Sequence, residues 1–205
     1  MRPAAAAEIL VALPRPEATL GAATAFRSTW VVSSLGTIRE LGHEAAYFRN
    51  LPREHHETLT TAVAATWIPI DVAVAHYRAC DALGLSSDEQ IAIGRRVADK
   101  MKGTVFGTMV KMAREVGVTP WSFLGRIDRF WNRCGQGGGV ETARVGPKEA
   151  RLRLVACELG SVEYFRNAMS GVLQVGTELF CRQAFVRELP SLRRPMGAAW
   201  RVQWA

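Results

Sequence analysis

The segment Glu149–Phe180, EARLRLVACELGSVEYFRNAMSGVLQVGTELF, changes its hydrophobic period midway. In its first part Leu152, Leu154 and Ala156 fall on one side and Arg151, Arg153 and Val155 on the other, the alternation of a half-buried strand. From Ser161 onward the steps lengthen to three and four through Phe165, Met169, Val172, Gly176 and Leu179, which predicts a helix. Two short strands follow, AFVREL and AAWRVQW, the second setting Trp200, Val202 and Trp204 opposite Arg201 and Gln203. The connecting PSLRRPMG carries the prolines and glycine of a hairpin loop. Residues 145–205 therefore read as a strand–helix–strand–strand unit.

Upstream, residues 36–135 read as a helical middle. TPWSFLGRIDRFWNRCG predicts a helix with Thr119 as cap, Pro120 in its first turn and Gly135 as its stop. The long stretch before it opens with Ser87 as cap and Asp88 and Glu89 in the first turn, and ends at Gly117. Its apolar stripe runs through Ile93, Val97, Met101, Val105, Met109 and Met112. Pro69 separates two further helical segments, and GTIRELGHEAAYFRNLP gives one or two short helices broken near Gly42 and stopped by Pro52. Thr24–Leu35 is rich in β-branched and aromatic residues and is expected to be a strand. Helices and strands segregate instead of alternating, which predicts an α+β fold. The helical middle should pack on a small, mainly antiparallel sheet of about four strands.

The chain has 205 residues, 48% of them apolar and 22% charged, enough to bury a core in one domain. Residues 1–20 read as a mobile arm and 21–205 as a single α+β domain. Glu8, Pro14 and Pro16 interrupt any secretory apolar core in the arm. No apolar run reaches the roughly 18 residues of a membrane span. The four cysteines, Cys80, Cys134, Cys157 and Cys181, form no close pair, which fits reduced thiols in a cytoplasmic protein. A net charge of +7 permits nucleic acid, anionic membrane or an acidic partner without choosing among them.

Few motifs carry chemistry. His55 and His56 are neighbours, so on a helix they point about 100° apart and cannot share an ion as an i, i+4 pair does. His76 sits in an apolar stretch as a core histidine. CGQGGG lacks the preceding strand and the Gly-Lys-Ser/Thr ending of a phosphate loop, and reads as a linker. No serine lies in G-x-S-x-G, so enzymatic chemistry is not visible. Arg126, Arg129 and Arg133 line one face of their helix and are candidates for an anion or a partner; Phe130 and Trp131 lie on its apolar side. Gly171 and Gly176 lower helix propensity, which predicts close approach of sheet or ligand to that helix. The tetrapeptide YFRN occurs at Tyr47 and again at Tyr164 without a period that extends the match, and is read as coincidence in a shared strand-to-helix context.

The order of elements from VGPKEARLRLVACELGSVEYFRNAMSGVLQVGTELF to GAAWRVQW resembles the end of the superfamily of four-vinyl-reductase domains, TRAPP subunits and haem-NO-binding proteins. LGHEAAYFRNLP, WIPI, GVTPW and VGPKEARL resemble more closely a family known mainly from myxobacteria. The resemblance implies a pocket between sheet and helices and dimerisation through helices. Four-vinyl-reductase domains carry cysteines near the positions of Cys157 and Cys181, which makes these two candidate ligand contacts. Haem-NO-binding proteins hold the haem propionates with Y-x-S-x-R. YFRNA lacks that spacing, so haem is not expected and no other cofactor follows. The function expected is a non-enzymatic regulatory or sensory module for a small apolar or anionic ligand or a partner protein. The alternatives are a TRAPP-like scaffold without ligand, and a binder of nucleic acid or membrane surface through the basic helix face. Candidate ligand contacts are Phe130, Trp131, Cys157, Gly171, Gly176 and Cys181, and no metal site is expected.

Overall fold

Alternating apolar residues at 149–155 and 198–204 need a layer to cover them, and the helices supply it. The computed structural model describes residues 7–63, 65–101 and 119–205. Its strands are β1 (Glu8–Val11), β2 (Ala25–Arg27), β3 (Trp67–Pro69), β4 (Gly135–Gln136), β5 (Gly139–Gly146), β6 (Glu149–Val155), β7 (Ala184–Glu188) and β8 (Gly197–Trp204). Five of them form an antiparallel sheet in the order β1-β5-β6-β8-β7, and β3-β2-β4 form a smaller one. In the large sheet Leu152 lies opposite both Thr142 and Trp200, and Ala150 opposite Val202. These residues are buried and make the floor of the core.

Eight helices lie among the described residues: α1 (Ser28–Glu40), α2 (Glu44–Asn50), α3 (His56–Thr60), α4 (Ile70–Asp81), α5 (Ser87–Met101), α6 (Pro120–Leu124), α7 (Ile127–Cys134) and α8 (Glu163–Glu178). The α+β reading therefore stands, with five strands in the main sheet instead of about four. Helix α8 lies on the sheet and α5 on α8. The last two approach closely because each offers a glycine: a methyl group at Gly94 would overlap the Ala168 carbonyl, and one at Gly171 the Ile91 carbonyl oxygen.

Four local expectations need correction. Only Ala25–Arg27 of the stretch 24–35 is extended, and a helix begins at Ser28. Trp30, Val31, Ser34, Leu35 and Ile38 are buried at helical steps, so packing of that stripe overrides the β propensity of Thr29, Val31 and Val32. The cap of α5 is Ser86, not Ser87: the Glu89 amide donates to Ser86 Oγ, and the Glu89 carboxylate accepts from the Ser86 amide and hydroxyl at 2.8 and 2.7 Å. CGQGGG is a strand–turn–strand passage, in which Gly137 and Gly138 take φ of +79° and +61° between β4 and β5. Both YFRN copies are helical, but the first follows helix α1 and a turn rather than a strand.

Other boundaries fall where the sequence placed them. Gly42 separates α1 from α2 with φ +79°, and Thr119 and Ser122 form a capping box at the start of α6. The single helix expected over 120–134 is instead broken at Gly125 into α6 and α7. Val105, Met109, Met112 and the stop at Gly117 lie outside the described residues. Within the arm of residues 1–20, β1 pairs with the edge of β5. Among the described residues no helix is long and apolar enough to cross a membrane.

Candidate ligand site between sheet and helices

Helix α7 turns Ile127, Phe130, Trp131 and Cys134 inward, because three- and four-residue steps bring them to one side. They meet Val140 of β5, Leu152 and Leu154 of β6 and Trp200 of β8 from below, and Phe165, Met169 and Leu173 of α8 from the side. Phe26 and Trp30 close the remaining wall. Together these residues enclose a cavity of about 30 Å³. The rings interlock, with Trp30 and Phe130 centroids 5.5 Å apart and edge to face, and Phe26 6.3 Å from Phe165.

Every indole bordering this space has spent its N–H elsewhere. Trp30 Nε1 donates to Cys134 Sγ at 3.1 Å, Trp131 Nε1 to the Gly137 carbonyl at 3.0 Å, and Trp200 Nε1 to the Arg166 carbonyl at 3.1 Å. Burial pushes the Cys134 thiol up to about 12, so it stays a neutral, weak dipole. A cavity of this size exceeds the roughly 10–15 Å³ that one water occupies, but a water needs two to four polar partners. The lining offers none free. The space suits an apolar occupant.

Beyond Trp30, Phe165 and Met169 lies a second cavity of about 20 Å³, which these three residues share with Ser34, Tyr77, Ile93, Gly94, Val97, Ala168 and Val172. Its surroundings hold the buried polar residues of the core. Tyr47 OH and His76 Nδ1 are 2.8 Å apart, and His76 Nε2 lies 3.8 Å from Cys80 Sγ. Burial lowers the His76 pKa to about 3 and raises those of Cys80 and Tyr164. All three stay neutral near pH 7. Ser34 lines this second cavity, and its hydroxyl, the Cys80 thiol and the Tyr164 hydroxyl form a buried polar group beside it.

The structure brings some of the expected site residues together and separates others. Phe130 and Trp131 line the first cavity. Cys157 is fully buried at the start of the turn after β6, with its thiol pushed up to about 12, and does not line it. Cys181 lies beyond the other end of α8 and donates its thiol to the Thr177 and Gln183 carbonyls at 3.3 and 3.4 Å. Gly171 faces α5, which corrects the expectation that it approaches the sheet or a ligand; Gly176 is buried in α8. Arg129 and Arg133 on α7 and Arg126 just before it are exposed and make no ion pair among the described residues. Phe26, Trp30, Met169 and Cys134 were not anticipated as site residues. Trp30 was hidden by the strand reading of its segment, whereas the step Phe165–Met169 was already visible.

No protein-family model and no curated protein sequence matches the chain. Solved structures do. An H-NOX protein from K. algicida in its Fe(II) unliganded form shares 7% identity at TM-score 0.65, over 87% of this chain and 96% of its own. An H-NOX structure from T. tengcongensis shares 12% at TM-score 0.58, over 87% and 97%. An oxygen-binding H-NOX domain related to soluble guanylate cyclases, in its oxygen complex, shares 12% at TM-score 0.52, over 86% and 92%. At these identities the likeness shows the fold. It also overturns the expectation that haem has no place here: a further neighbour was solved in work on haem redox potential and porphyrin distortion.

Proposed function

We propose that the protein is a sensory module without enzymatic activity, in which a small apolar ligand enters the space between the large sheet and the helices. The observation that carries this reading is the 30 Å³ cavity, lined from both layers by side chains with no free polar group. An occupant there would touch β5, β6, β8, α7 and α8 at once, so its arrival would change how the layers sit. That is the physical requirement for a sensor: the ligand must bind one arrangement better than the other. The H-NOX likeness supports the reading, since an oxygen complex has been solved in that fold.

The residues present do not favour haem. Among the described residues His76 is the only histidine in the core, and both of its ring nitrogens face partners, Tyr47 and Cys80. Cys134 Sγ already accepts the Trp30 N–H. A cavity of about 30 Å³ is far below the roughly 300–1,000 Å³ of a pocket for a ligand of that size. As the side chains stand they do not fit the macrocycle.

Xenon-129 NMR tests the reading directly, since apolar cavities of this kind take up xenon. The expected result is saturable exchange with one bound state, abolished in Met169→Trp, which fills both cavities. Xenon exchange that is absent in the wild type would sink the proposal and leave a scaffold without ligand. A haem titration gives the second arm. A stoichiometric Soret band lost in Cys134→Ser or His76→Ala would replace the apolar ligand with haem at this site.

A further inference from the structure

The face of the large sheet turned away from the helices carries a row of arginines. The pairing of β1, β5, β6, β8 and β7 sets Ile9, Ala143, Arg151, Arg201 and Arg187 side by side, one from each strand. Neighbouring strands lie about 4.8 Å apart, so the three arginine stems rise within roughly 10 Å of one another. Like charges directly opposite across a ladder are destabilising.

The rows beside this one show how the same face treats other cations. Arg153 lies between Glu17 at 2.6 Å and Glu141 at 3.3 Å. Arg201 has one carboxylate, Glu149 at 2.5 Å, which also accepts from Gln203 at 2.9 Å. Arg151 and Arg187 have no ion pair among the described residues, and Arg151 Nε is buried without a hydrogen-bond partner. Two uncompensated guanidinium groups therefore flank a compensated one. The row is bordered by exposed apolar side chains, Ile9 (49%) at the β1 end and Phe185 (54%) next to Arg187 on β7. Among the described residues strand β7 is an edge, with one side of its backbone paired to no strand.

We propose that this face docks an acidic segment of a partner protein, its carboxylates meeting Arg151 and Arg187 and its apolar side chains meeting Phe185 and Ile9. Charge complementarity selects an acidic partner. The exposed phenylalanine and isoleucine select a protein over a nucleic acid, because arginine and aromatic residues mark protein interfaces. Glu17, Glu141 and Glu149 also interrupt the positive potential that a phosphate backbone would follow. The inference is independent of the ligand cavity, which lies on the opposite face. Yet Arg151 and Arg201 alternate along their strands with Leu152 and Trp200 of the cavity floor, so the two faces share their strands.

The test uses the full chain and a fluorescein-labelled dodecapeptide with glutamate at every second position and leucine and serine between. Fluorescence anisotropy should show binding that weakens at least about tenfold between about 50 and 200 mM salt. Arg187→Glu should abolish it while melting no earlier than the wild type, since the new carboxylate would face Arg201. Arg129→Glu, on the α7 surface, should leave binding within about twofold. The proposal fails if the peptide does not bind at low salt, or if Arg187→Glu and Arg129→Glu lose binding equally. It also fails if a twelve-base-pair duplex displaces the peptide at lower concentration than unlabelled peptide does.

Discussion

His76 is fully buried, and its pKa of about 3 in the fold lies below the 6.5 of an exposed imidazole. The sign follows directly: above pH 6.5 the ring is neutral folded and unfolded, and the fold pays no penalty. Below it the unfolded chain takes up the proton first, so stability falls as pH drops from 6.5 towards 3. The expected loss is about 2 kcal/mol by pH 5, read as a falling midpoint in urea unfolding. His76→Gln should flatten that slope; an unchanged slope would show that carboxylates alone set it. At Gly171 the expectation is steric. Gly171→Ala drives a methyl into the Ile91 carbonyl and should cost roughly 1–3 kcal/mol as an overpacked helix crossing, whereas Gly36→Ala, with open space around it, should not destabilise. Gly171 was legible as a point of close approach. Its partner was not, because a sequence shows which face is bare and not which element fills it.

Strand β8 was the most legible element, since Trp200, Val202 and Trp204 alternate with Arg201 and Gln203 and are indeed buried. It proves to be interior, paired with β6 on one side and β7 on the other. Removing residues 198–205 would expose two unpaired strand edges and should unfold the protein, which circular dichroism of a chain ending at Gly197 would show. Strand β7 is held by charge as well. Arg166, 3% exposed at its side chain, lies 3.0 Å from Glu188 Oε1 and donates to the Gly160 and Ser161 carbonyls. Glu188→Ala leaves that cation buried without its carboxylate and should cost about 3–5 kcal/mol, measured by chemical unfolding. Elements without a clean period stayed hidden. In β5 the run Val140, Glu141, Thr142, Ala143, Arg144 mixes small and charged residues, and Ala143 is buried on the arginine-bearing face, so alternation fails there. Strands β2, β3 and β4 are two or three residues long, too short to show any period.

Across the whole molecule, sheet and helices meet at a cavity whose meaning depends on energetics. An unfilled space of about 30 Å³ is either a tolerated packing defect or a ligand site, and the two respond differently to enlargement. Leu152, 3% exposed, contributes to the cavity floor from the central strand β6. Leu152→Ala removes buried methyl groups and leaves part of their volume empty, so the protein should lose about 2–5 kcal/mol. That loss is expected under either meaning. What separates them is recovery under ligand. A molecule that binds only the folded chain stabilises it by RT ln(1 + [L]/Kd). If the space is open to apolar ligands, xenon under pressure should raise the melting temperature of the wild type and raise that of Leu152→Ala further. A space with no affinity for apolar ligands would leave both melting curves where they are, because the stabilisation depends only on [L]/Kd.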